Sequence, residues 1–288
     1  MQEMETKENQ IIHGVIWKQL LIFFFPILLG TFFQQIYNTA DTVVVGRFVG
    51  TEALAAVGGS TSQIINLIVG FFTGLASGAT VVISQHYGAK QEDGVQKALH
   101  TAYAFSVVGG IIISIMGILI TRPLLKLMNT PDNIIDLSAT YLCIYFAGLV
   151  FVFIYNVGAG ILRAVGDSRR PLYFLILCCF INVVLDIILI VFLKMGVAGA
   201  AIATTFSQGI SAVMVTVTLC RTTDIFRLRV KKIRFHAQPM GMIVKIGLPA
   251  GLQSVMYSLS NVIIQSSLNT FGTETVAAWT AFSKIDAI

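Results

Sequence analysis

Long apolar runs alternate with short polar connections along the chain, at residues 17–45, 54–84, 98–121, 137–160, 171–193, 198–220 and 242–270, with an eighth beginning near 276. A helix rises about 1.5 Å per residue and about 20 apolar residues cover the hydrocarbon core, so each run predicts a membrane-spanning helix. The connections carry Gly, Pro and charge and leave no room for an inserted soluble domain. The pattern predicts an all-α, polytopic membrane protein.

Composition agrees: 56% of the 288 residues are hydrophobic, 11% are charged, and the mean hydropathy is +0.82. A net charge of +5 would suit nucleic acid if the basic residues shared one exposed face, but they sit in short segments between apolar runs. Their distribution reports topology. Fourteen Lys and Arg fall on one side of the membrane and four on the other, which predicts a cytoplasmic N-terminus in the cell membrane. The first ten residues, MQEMETKENQ, have mixed charge and precede a run too long for a signal-peptide core, so they are expected to be retained. Cys143, Cys178, Cys179 and Cys220 lack zinc or redox spacing and read as packing residues. The four histidines are scattered through polar flanks, and no metalloenzyme site is expected.

Two acids inside apolar runs need explaining: Asp41 and Asp186. A charged side chain at mid-membrane costs about 2.5–3.5 kcal/mol even on insertion scales, so each is a candidate ion or substrate site. Asn182 lies four residues before Asp186, one turn away on the same helix face. On the first run, Gln34, Gln35, Asn38 and Asp41 form a polar stripe that must face the bundle interior or a wet cavity; for the amides, helix-to-helix glue is an equal explanation. Pro26 removes an intrahelical hydrogen bond and should bend that helix. The sixth run is rich in small residues suited to close packing, and Thr204 and Thr205 are expected to bond back to their own helix unless a neighbouring site needs their oxygens.

The connection GAGILRAVGDSRRP carries Gly166 and Asp167 for a tight turn and Pro171 for the first turn of the next helix. Its glycines follow no strand and no P-loop pattern occurs in the chain, so ATP-driven pumping is not expected.

GTEALAA at 50–56 returns as GTETVAA at 272–278, and Pro26 pairs with Pro249. The offsets of 222 and 223 residues span six runs, an even number, so the two units run parallel, related by an axis along the membrane normal. Residues 1–232 are expected to form a six-helix lobe and residues 233–288 the start of a second, truncated one. No acid lies between Asp224 and Glu274, which assigns the charged site to the first lobe.

The stretches PILLGTFFQQIYNTADTVVVGRFVG, GAGILRAVGDSRRP, NVVLDIILI and IGLPAGLQSVMYSLSN resemble the multidrug and toxic compound extrusion (MATE) family of cation-coupled antiporters. The resemblance implies twelve helices in two lobes around a cleft, of which this chain would carry the first lobe and part of the second. It also implies a first-lobe cation site at Asp41, Asn156, Asn182, Asp186 and Thr204, with Pro26 bending helix one. Tyr257 stands where one branch carries a Glu, which points to the DinF-like branch.

The function expected is export of organic, often cationic, small molecules in exchange for Na⁺ or H⁺. No other cofactor, no enzymatic activity and no nucleic-acid partner are expected, and the complete protein is expected to be a monomer in the bilayer. The alternative, a flippase for lipid-linked saccharides, would require basic residues in the cleft, and the first seven runs place no Lys or Arg mid-span.

Overall fold

The computed structural model describes residues 16–286, and all regular structure among them is helical. The expected cytoplasmic N-terminal segment and the side chain of Asp286 lie outside the described residues. In chain order the helices are α1 (Ile16–Phe48), α2 (Thr51–Gly58), α3 (Ser60–Gly88), α4 (Glu92–Leu127), α5 (Asp132–Ala147), α6 (Leu149–Ala164), α7 (Arg169–Asp186), α8 (Gly196–Arg221), α9 (Ala237–Asn269) and α10 (Thr273–Asp286). Among the described residues six spans are long and apolar enough to cross a membrane, and α5 with α6 makes a seventh, bent by 49°.

Turn chemistry closes the hairpins as the residues predict. Gly166 takes a left-handed φ of 91°, which a side chain would strain, and the Asp167 carboxylate accepts from the backbone N–H groups of Arg169 and Arg170 at 3.2 and 3.1 Å. That carboxylate caps α7, whose third residue is Pro171. The internal repeat is visible in local geometry: α1 and α9 each have 33 residues and continue through an internal proline, and both are followed by a glycine of positive φ, Gly50 and Gly272.

Three apolar runs that look uniform are not uniform helices. The second divides into α2 and α3 at Gly59. The fourth bends at Gly148, where a Cβ would collide with Thr205 of α8, so absence of a side chain lets the break nest against that helix. The Thr205 hydroxyl donates to the Ile144 carbonyl at 3.4 Å, satisfying an acceptor near the bend. Thr205 therefore reaches across to another helix rather than bonding to its own, contrary to expectation. The fifth run changes from α to π geometry after Asp186, over Ile187–Phe192.

α7 packs between α1 and α8, and α6 packs among α3, α4 and α8. The most extensive helix pair is α3 with α9. Glycines make it possible: a Cβ on Gly74 would lie 2.5 Å from the Gly251 nitrogen, and ones on Gly78 and Gly247 would meet opposing backbone.

Between α8 and α9, the connection 222–236 lies folded against the ends of α3, α4 and α8. Phe226 and Leu228 are buried, the Phe226 ring meets Tyr87, and Leu228 N–H donates to the Leu219 carbonyl at 2.9 Å. Gln96 donates to the Ile225 and Arg227 carbonyls. His100 is paired with the Gln96 carbonyl through Nδ1 at 2.7 Å, and its Nε2 accepts from the Arg229 N–H at 3.1 Å. His236 accepts from Arg234 through Nε2 at 3.0 Å and meets the Thr101 hydroxyl through Nδ1 at 3.1 Å. The tautomers that satisfy these partners are neutral rings.

This latch should be pH-sensitive. Desolvation pushes the pKa of His236 down from 6.5, with Arg234, Lys97 and His100 adding to the effect and Asp93 opposing it. A base whose native pKa is lowered stabilises the fold fully above its unfolded value, and that contribution is lost as pH falls through the native value. Hydrogen–deuterium exchange of residues 225–236, corrected for intrinsic rates, should show protection at about pH 8 that falls by up to about tenfold per unit at the acidic end. His236→Gln should flatten the profile.

Candidate functional site

The site is built by α1, α5, α7 and α8. Asp41 on α1 and Asn182 and Asp186 on α7 are buried, at 7%, 1% and 0% exposure, and Thr204 on α8 is 6% exposed. Packing of α7 against both α1 and α8 brings them together. Asn182 Nδ2 donates to Thr204 Oγ1 at 3.4 Å, and the Asp41 and Asp186 carboxyls lie within electrostatic range of one another. Thr204, too, is engaged by another helix, which corrects the expectation that it bonds to its own.

Tyrosines that the sequence reading did not single out complete the setting. Tyr37 on α1 interacts with Asp41 and Gln208, and Tyr141 on α5 with Asp41 and Thr204. The Tyr141 and Tyr145 rings stack at 6.3 Å and 12°. A signal for part of this set was present: Thr204, Gln208 and Ser211 recur at helical spacing and form a polar stripe through a run otherwise read as small-residue packing. The other polar groups of α1 are less enclosed than expected. Gln34 is exposed, Gln35 and Asn38 are half-buried, and Thr39 and Thr42 satisfy their hydroxyls on α1 carbonyls at 2.9 and 2.7 Å.

Asn156 has a different setting. Its amide donates to the Val152 carbonyl at 2.8 Å, and it lines a small cavity with Phe72, Thr73, Phe105 and Ser106. Pro26 lies within α1, which continues through it as one helix.

The chemistry of the cluster lies in its oxygens. Among the described residues, both carboxylate oxygens of Asp186, Oδ1 of Asn182 and Oε1 of Gln208 are buried without a hydrogen-bond partner. Buried polar atoms are nearly always paired, and an uncompensated charge in a dry interior costs several kcal/mol. Two carboxylates facing each other add mutual repulsion. A small hard cation surrounded by such oxygens, or a proton shared by the acids, relieves both costs. α7 changes to π geometry immediately after Asp186, with Leu193 N–H bonded to the Ile188 carbonyl at 3.0 Å. Such turns are frequent at functional sites.

The fold is that of a polytopic helical membrane protein with a parallel internal repeat and two acids held inside its first bundle. Residues 26–188 match the family model MatE, and the chain belongs to that family. It is 30% identical over 294 residues to "Probable multidrug resistance protein YoeA" of Bacillus subtilis (strain 168), covering 98% of this chain and 63% of that protein. "Probable multidrug resistance protein YpnP" of the same organism is 31% identical, with the same coverage of each chain. A solved structure described as an outward-facing conformation of a multidrug resistance MATE family transporter superposes with a TM-score of 0.86, at 28% identity over 97% of this chain and 62% of that one. The chain thus spans about 63% of the length of these curated relatives.

Proposed function

We propose that residues 1–232 are the first lobe, and residues 233–288 the opening helices of the second, of an antiporter that exports organic compounds across the cytoplasmic membrane in exchange for Na⁺ or H⁺. The observation that carries this reading is the buried Asp41–Asp186 pair, beside oxygens of Asn182 and Gln208 that lack partners among the described residues. Occupancy of that cluster stabilises one arrangement of the bundle over another, and a difference in cation affinity between two arrangements is what coupling requires. Asp41 and Asp186 carry the charge, Asn182 and Thr204 supply neutral oxygens and hold the geometry, and Asn156 acts from the α3–α4 side of the same lobe. Pro26 frees one backbone carbonyl of α1 and gives that helix a place to bend. The relatives' printed names support a drug-like organic substrate.

Tyr257 is 73% exposed and α9 carries no acid, which supports the DinF-like branch. The excess of Lys and Arg in the connections that follow α3, α6 and α8 over those that follow α1, α4 and α7 supports a cytoplasmic N-terminus. Among the described residues the buried charged side chains are acids, so a cleft selecting anionic saccharide carriers is less well supported.

The test is dye efflux from proteoliposomes containing the complete transporter, with a Na⁺ gradient, a proton gradient or neither imposed. Efflux that rises with one inward gradient and dissipates it in return is expected. Efflux independent of both gradients would overturn the coupling, and no efflux of any organic cation tried would overturn the substrate class.

A further inference from the structure

The connection between α8 and α9 carries five cations, Arg227, Arg229, Lys231, Lys232 and Arg234, against one acid, Asp224. Asp224 already accepts from the Thr222 hydroxyl at 3.0 Å, and the three ion pairs among the described residues lie elsewhere. All five cations are exposed. A topology signal needs only that such charges be present near a span. Here they are also held in place. Phe226 and Leu228 turn inward as anchors, and the backbone is bonded to Gln96, His100 and Thr101 of α4; exposed Arg227, whose Nε donates to the Cys220 carbonyl at 3.1 Å, stands between the anchors and exposed Arg229 follows them.

Two apolar side chains interrupt the charge on the exposed side: Val230 at 62% and Phe235 at 50% exposure. Val230 opens the turn Val230–Lys232, and Phe235 follows it by three residues. The connection joins two membrane spans, α8 ending at Arg221 and α9 starting at Ala237, so it lies at the bilayer surface. Clustered cations with interspersed exposed apolar groups, fixed at that depth, match an interface of anionic headgroups above acyl chains.

We propose that residues 225–236 form a docking strap for anionic phospholipid headgroups. Arg227, Arg229, Lys231 and Lys232 pair with headgroup phosphates, and Val230 and Phe235 dip below them. His100 and His236 act as positioning residues that hold the strap against α4. The inference is independent of the transport reading, because it requires only that α8 and α9 span a membrane.

Native mass spectrometry of the purified protein, titrated with phosphatidylglycerol or phosphatidylcholine, tests it. About tenfold tighter retention of phosphatidylglycerol is expected, and a variant with Arg227, Arg229, Lys231 and Lys232 changed to Gln should lose most of that preference. Equal retention of the two lipids, or an unchanged preference in the variant, would overturn the proposal. So would full displacement of the lipid by an equal concentration of inorganic phosphate, which would indicate a site for free anions. If the variant fails to fold, Phe235→Trp in a background with Trp17 and Trp279 changed to Phe provides the decision with the charges intact. Quenching of that tryptophan by brominated phosphatidylglycerol in vesicles is expected, and its absence would overturn the insertion.

Discussion

Asp186→Asn in the complete transporter should abolish cation-driven efflux, with at least a tenfold loss, while raising the protein's unfolding temperature. The substitution is nearly isosteric, so packing around the fully buried side chain is kept. It removes the charge that the oxygens without partners leave uncompensated, together with its repulsion of Asp41. Relief of a poorly compensated buried charge is worth about 1–4 kcal/mol, and stabilisation bought at the expense of activity marks a functional site. Asp41→Asn should behave in the same sense. A purely structural acid predicts the opposite pair of results, a lowered unfolding temperature with transport kept in whatever fraction folds. Thermal unfolding in detergent with and without Na⁺, measured beside efflux, distinguishes the two, and a variant with wild-type efflux would remove Asp186 from the coupling site.

The second large effect concerns the glycine seam between α3 and α9. Cysteines at positions 70 and 254 should join these helices almost completely on mild oxidation, in a background without Cys143, Cys178, Cys179 and Cys220. A Cβ on Gly70 lies 3.6 Å from the Ser254 Cβ, inside the disulfide range of about 3.5–4.5 Å. Adding Gly74→Val should reduce the yield at least tenfold and cost about 1–3 kcal/mol, because its Cβ meets the Gly251 backbone nitrogen at 2.5 Å and backbone cannot yield as a side chain would. Gel mobility under non-reducing conditions reads the result. Retained cross-linking in the valine variant would mean that the seam is not closed in the membrane.

Much of the architecture was legible because the bilayer imposes one strong rule: backbone groups must bond internally, so apolar length predicts spanning helices. Asp41, Asn182 and Asp186 stood out for the same reason, as polar groups whose cost in that medium demands a use. The repeat was legible from GTEALAA and GTETVAA, and the structure gives both copies the same glycine-then-helix start. The bend at Gly148 was not, since a glycine inside a span is ordinary and the side chain it makes room for, Thr205, is 57 positions away. The partners of Thr204 and Thr205 depended on which helices become neighbours, which hydropathy does not encode. Tyr37 and Tyr141 were hidden because tyrosine within an apolar run reads as packing; only their approach to Asp41 gives them polar work.

The π turn after Asp186 implies a specific tolerance to deletion. Such a turn is equivalent to one surplus residue in an α-helix, so excising a single position within 187–192 should let the segment relax to ordinary winding. The register of Asn182 and Asp186 upstream would stay fixed, whereas the same excision before residue 182 would rotate both away from Thr204 by about 100°. Natural length variation at this point of the helix would then leave the acid in place and change only how the chain turns toward α8.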